Sequence, residues 1–150
     1  MSTPELELIA AVYAELTAQP VLSAAFGDSS YMDWIPNGAN YPCLTVNHGP
    51  IDDIRGFGLD MIDTQLHVDL WARRDDTDTG ATPANVFVRE KARIVRDTLD
   101  DAERTSPITL AGGYVLARLI HTTTLSLPET SNGIERSRVT FDASVEKEKA

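Results

Sequence analysis

The sequence predicts an α+β fold: a mostly antiparallel β-sheet with two main α-helices packed on one face. Three observations predict it. Apolar residues recur at helical spacing near the N-terminus, and again over residues 88–99. Strict alternation marks 64–72 and 134–145, on either side of the helical stretch 88–99. The chain between them holds turn signals and no repeat, so residues 1–150 are expected to form one domain, with 146–150 as a frayed tail.

The elements follow in order. Ser2 and Glu5 stand at capping-box spacing, and Pro4 suits a first helical turn. Leu6, Ile9, Tyr13 and Leu16 then share a helical face, with Ala10 beside them, until Gln19-Pro20 closes the helix. A short second helix over 21–25 stops at Gly27, and 28–30 reads as a turn. Residues 31–36 are aromatic and irregular, and Asn37-Gly38 is a turn signal. Residues 43–47 alternate around Leu44 and Val46 and predict a strand. Gly49, Pro50, Gly56 and Gly58 make 49–60 a loop or the turn of a long hairpin. In the strand 64–72, Leu66, Val68 and Leu70 face one way and His67, Asp69 and Trp71 the other.

Residues 73–81 form a polar loop rich in Asp, Thr and Gly. Thr82 is the expected cap of the next helix, with Pro83 at its first position. Val88, Ala92, Val95 and Leu99 form its apolar stripe, widened by Phe87 and Ile94, while Arg89, Lys91, Arg93 and Arg96 lie mainly off it. Residues 108–110 predict a short strand before Gly112-Gly113, and 114–125 a long one. Asn132-Gly133 turns the chain into 134–145, where Val139, Phe141, Ala143 and Val145 share a face. The helices cover one sheet face; the other is expected to carry His67, Asp69 and Trp71, joined by Arg136 and Arg138.

Composition bounds the function. The hydrophobic content of 42% is that of a globular protein. The apolar runs are too short to span a bilayer. Acidic Glu5 and Glu7 stand where a secretory leader would be basic, so no targeting segment and no membrane partner are expected. The lone Cys43 precludes an internal disulfide and reads as a half-buried structural thiol. The formal net charge of −10 repels phosphates, which disfavours DNA binding. Arg55 is the only Lys or Arg before Arg73, after which basic residues concentrate at Arg73, Arg74 and over 89–96. This asymmetry reads either as solvated faces with local ion pairs or as an acidic side and a basic side that meet head to tail between identical subunits.

Catalytic patterns are absent. His48, His67 and His121 stand singly, without metal-ligand spacing. Asp75-Asp76-Thr77-Asp78-Thr79-Gly80 fails as a calcium loop, because the twelfth position counted from Asp76 is Phe87. Asp52-Asp53 reads as a loop tip rather than an acid–base pair. No nucleophile elbow and no phosphate-binding glycine loop occur. No catalytic, cofactor-binding or metal-binding residue is therefore assigned. Tyr31, Trp34, Tyr41 and Trp71 form either a secondary apolar cluster or anchors of a subunit interface. The interface candidates are Trp34, Asp52, Asp53, Trp71, Arg73 and Arg74.

In order and spacing these segments resemble the tail-terminator, or tail-completion, family of long-tailed bacteriophages, prophages and gene-transfer agents. The resemblance covers nearly the whole chain. It is carried by the helix from Leu8 to Leu16, the run Val21 to Gly27, the passage Ile35-Pro36-Asn37-Gly38-Ala39-Asn40-Tyr41-Pro42, and the strand Leu66-His67-Val68-Asp69-Leu70-Trp71-Ala72-Arg73. The helix 88–99, the turn Leu110-Ala111-Gly112-Gly113 and the closing Arg138-Val139-Thr140-Phe141-Asp142-Ala143 complete it. The loops 49–63 and 73–82 depart from the shortest members.

The resemblance implies an assembly role without catalysis or cofactors. Such proteins form a ring, commonly a hexamer, on the head-proximal end of the tail tube. The ring ends tube polymerisation and presents the head-joining surface. Implied partners are further copies of the chain, the tail-tube protein and a neck or head–tail connector protein. DNA passes through the ring without specific binding. Assembly takes place in the bacterial host cytoplasm. Competing readings are a neck or connector protein, a monomeric module binding through the outer sheet face, and a small enzyme using His67 and Asp69.

Overall fold

In the computed structural model, the described residues are 3–36, 38, 40–56, 59–74, 82–100, 108–129 and 133–147. They form, in chain order, helices α1 (Pro4–Ala18) and α2 (Pro20–Phe26), strands β1 (Ser30–Met32), β2 (Cys43–Gly56) and β3 (Leu59–Arg73), helix α3 (Ala84–Leu99), and strands β4 (Tyr114–Glu129) and β5 (Ile134–Lys147). The five strands make one sheet in the order β1-β2-β3-β5-β4. Only β1 and β2 pair in parallel; the other neighbours are antiparallel. The α+β class with a mostly antiparallel sheet is the one expected. Strands β3 and β4 run in the same direction, linked by α3, and β5 returns to fill the gap between them.

Alternation puts Leu66, Val68 and Leu70 on the helix-covered face, opposite Val139 and Phe141 of β5. All five are fully buried, and Leu8, Ile9, Val12 and Leu16 of α1 and Val88, Ala92, Val95 and Leu99 of α3 close the core over them. Gly27 ends α2 at φ +53, with its N–H on the Ser23 carbonyl. Gly112 and Gly113 both take positive φ in the turn that launches β4, a conformation that glycine adopts without steric cost.

Several local expectations are corrected. The buried face of α1 is Leu8, Ile9, Val12 and Leu16; Leu6 is exposed and Tyr13 only half-buried. The N-cap of α1 is Thr3, without a side-chain cap bond; Ser2 lies outside the described residues. Pro83 rather than Thr82 occupies the N-cap of α3. Residues 108–110 are not a strand, although Ile108 and Leu110 are buried. A strand forms instead at Ser30–Met32, where a turn and irregular chain were expected. Of the two readings of 49–60, the long hairpin holds and the open loop does not: β2 runs on to Gly56 and pairs antiparallel with β3 from Leu59, with an irregularity between His48 and Ile51 that absorbs Gly49 and Pro50. Residues Glu146 and Lys147, expected in a frayed tail, end β5. The acidic loop 75–80 lies outside the described residues.

Candidate assembly interface on the outer sheet face

The face away from the helices is built by the alternate residues of β2, β3, β5 and β4, and register decides which of them meet. At one end Asp69 stands directly opposite Arg138, with Arg136 on the diagonal. Asp69 is 1% exposed and accepts three hydrogen bonds: from Arg138 Nε at 2.8 Å, from an Arg138 terminal nitrogen at 3.0 Å, and from Arg136 at 2.9 Å. The bidentate Arg138 contact uses the fork geometry that suits carboxylates. The bond to Asp69 also raises the Arg138 pKa above its ordinary value. The Arg136 guanidinium lies 5.1 Å from the centroid of the Trp71 ring, and that of Arg73 lies 4.7 Å from that of Tyr41. Cys43, opposite Trp71, is completely buried, and burial pushes its thiol up to about 12, against a lowering influence of Arg73. Such a thiol is inert.

The His67–Asp69 pair that the competing enzyme reading invokes is not made. His67 instead contacts the Thr140 hydroxyl at 3.1 Å, and Asp69 belongs to the arginines. Burial first, and the positive Arg138 second, hold the His67 imidazole below its usual pKa, with Asp69 acting in the opposite sense.

The other end is acidic. Asp52 stands opposite Asp63, Asp63 opposite Ser144, and Ser144 opposite Arg118. Ser144 donates to Asp63, and Arg118 pairs with Asp142 at 3.3 Å. Together they line an open depression of about 430 Å³. Among the described residues no group of three or more His, Cys, Asp or Glu is placed to hold a metal ion. Asp63 and Trp71 are eight positions apart on β3, so the two ends lie about 27 Å apart.

The structure thus divides the sequence-derived candidates. Trp71 and Arg73 share the arginine-rich end. Asp52 is at the acidic end, in a strand rather than at a loop tip. Asp53 points to the helix side, near Thr3, Pro4 and Glu5, so the two carboxylates face apart. Arg74 is held by Glu135 at 2.9 Å. Trp34 follows β1 and is 69% exposed. Sequence reasoning missed Asp63, Arg118 and Asp142. The period-two spacing that selected Arg136 and Arg138 also reaches Asp142, but the pairing of strands from distant parts of the chain was needed to gather the rest.

A helix-backed sheet with a charge-segregated open face is an arrangement suited to assembly, and the comparisons give it a class. The chain is similar to a chain in the "Virion of native gene transfer agent (GTA) particle", at 25% identity over 93% of this chain and 94% of that one, with a TM-score of 0.69. It is thus of the class of virion structural proteins of phage-like particles. The family described as "Tail completion protein gp17" matches residues 10–146, and the chain belongs to that family. Its role is structural, in a phage-type tail, as the sequence resemblance implied. No curated protein matches.

Proposed function

We propose that this protein caps the head-proximal end of the tail tube as an oligomeric ring, ending tube polymerisation and forming the surface that joins the head. The observation that carries this reading is the family match over residues 10–146. The outer face supports it physically. A heterologous contact repeated by rotation closes into a ring, and segregated acidic and basic ends register such a contact. Trp34, Trp71 and Arg73 are the proposed anchors, with Arg74 at their margin and Asp52 and Asp53 at the opposite end. The partners are further copies of the chain, in a hexamer, together with the tube protein and the connector. The net charge of −10 lets DNA slide through without adhering.

A tube-extension assay tests the reading. Tail tubes preincubated with this protein are mixed with fresh tube protein, and tube lengths are measured by electron microscopy. Growth is expected to stop at the capped end. Continued growth at both ends overturns the proposal, and binding only to connectors in the absence of tubes selects the neck-protein reading instead.

A further inference from the structure

We propose that Trp34 of one copy of the chain seats in the groove between α2 and α3 of the next copy. The inference rests on the ring reading above and specifies its contact.

The groove is apolar and open, with a volume of about 440 Å³, and is lined by Pro20, Val21, Ala24, Ala25, Phe87 and Lys91. Its floor is the Phe87 ring, which packs edge-on against Phe26 with centroids 5.8 Å apart. Helix α2 contributes no charged residue, and its Val21 is 45% exposed. The one charge in the lining is the Lys91 ammonium, 5.3 Å from the centroid of the Phe87 ring. Such a groove takes an aromatic or aliphatic side chain with a carboxylate beside it.

The chain carries that combination at the end of β1. The Asp33 N–H donates to the Val46 carbonyl at 2.8 Å, and the Trp34 N–H donates to the Met32 carbonyl at 2.9 Å. The second bond closes a γ-turn around Asp33, whose φ of +69 is rare for a residue with a side chain. Backbone held in this way persists where the surrounding structure over-determines it, and is concentrated at functional contacts. The turn leaves Trp34 69% exposed, the most of any large apolar residue described, with Met32 exposed beside it. An anchor held by its own backbone is ordered before binding, which lowers the entropic cost of the contact. Tryptophan is also among the residue types most enriched at the energetic centres of interfaces.

Charge selects a second copy as the occupant. No Lys or Arg precedes Arg55, and Asp28 and Asp33 flank β1. On α3, Arg89, Lys91, Arg93 and Arg96 outnumber Glu90 and Asp97. Seating Trp34 therefore brings an acidic segment of one copy against the basic helix of the next, with Asp33 directed toward Lys91. Anchor and groove are different surfaces of one chain, so the contact is heterologous, the kind that rotation closes into a ring.

Two variants test this, Trp34→Ala and Ala24→Glu, the second placing bulk and charge in the groove. Both positions are exposed, and thermal unfolding by circular dichroism checks that both variants fold. Each alone is expected to lower the yield of rings, formed by the chain alone or on tube ends, by about tenfold or more. Mixed in equal amounts, under the conditions in which the unmodified chain forms rings, they are expected to give heterodimers and no rings. The intact Trp34 of one variant meets the intact groove of the other, while the next contact has neither. Ring yield unchanged by Trp34→Ala overturns this inference and leaves the ring reading standing. So does a mixture that stays monomeric or closes full rings. Loss of tube binding by Ala24→Glu with normal Trp34→Ala rings assigns the groove to the tube protein and likewise overturns it. Absence of rings and of tube caps in the unmodified chain overturns both readings.

Discussion

Replacing Asp69 with alanine tests how the outer face is held together. The carboxylate is 1% exposed and is the shared acceptor for Arg136 and Arg138. Its removal leaves two guanidinium groups close together with no counter-charge. Breaking a fully buried pair in this way costs about 3–5 kcal/mol. Here the arginine side chains are 21% and 31% exposed, so water recovers part of the loss. An expected cost of about 2–3 kcal/mol remains. For a chain of this size that lowers the melting temperature by roughly 5 to 10 °C. Thermal unfolding followed by circular dichroism measures it, and a double-mutant cycle with Arg138→Ala isolates the coupling. Because Asp69 is shielded, the loss persists at about 0.5 M salt, where surface pairs are screened. A melting temperature within about 1 °C of the unmodified chain refutes the assignment of Asp69 as the organiser of this face.

Other expectations follow from the same geometry. The Cys43 thiol, raised to about 12, is expected to resist alkylation at pH 8 in the folded protein and to react promptly in denaturant. Rapid labelling of native protein contradicts its burial. His67 has a folded pKa below its unfolded value, so the unfolded chain takes up a proton first as pH falls. Its contribution is therefore fully present above about pH 6.5 and is lost as pH drops from there toward the folded pKa, with a slope below about 1.4 kcal/mol per pH unit. The variant His67→Gln is expected to flatten this part of the urea-unfolding profile; an unchanged profile assigns the acid sensitivity elsewhere. Leu119, fully buried where β4 meets the core, is expected to cost about 2–5 kcal/mol when replaced by alanine. A loss under about 1 kcal/mol in chemical denaturation contradicts its placement.

Much of the fold was legible because periodicity and burial agree. The alternation of Leu66, Val68 and Leu70 against His67, Asp69 and Trp71 reappears as core and outer face. The stripe of α3 reappears as its buried side. Helix α1 was harder because it is apolar on most sides, so spacing alone could not choose Leu8 and Val12 over Leu6 and Tyr13. Gly49 and Pro50 suggested a loop by local propensity, yet pairing with β3 carried the strand past them. The short β1 owes its existence to β2 and has little pattern of its own. At the candidate interface the outer arginines were visible from their spacing. Their acceptor was not, because the choice between His67 and Arg138 as partner of Asp69 depends on the β3–β5 register, which no single segment encodes.

The most direct test of the central claim is negative-stain imaging with mass measurement of the purified protein, alone and after mixing with tail tubes. The account predicts a closed ring near six subunits, about 98 kDa from a 16.4 kDa chain, or a cap on the head-proximal tube end. A persistent monomer that ignores tubes contradicts it, and points to the outer sheet face as the binding surface of a monomeric module.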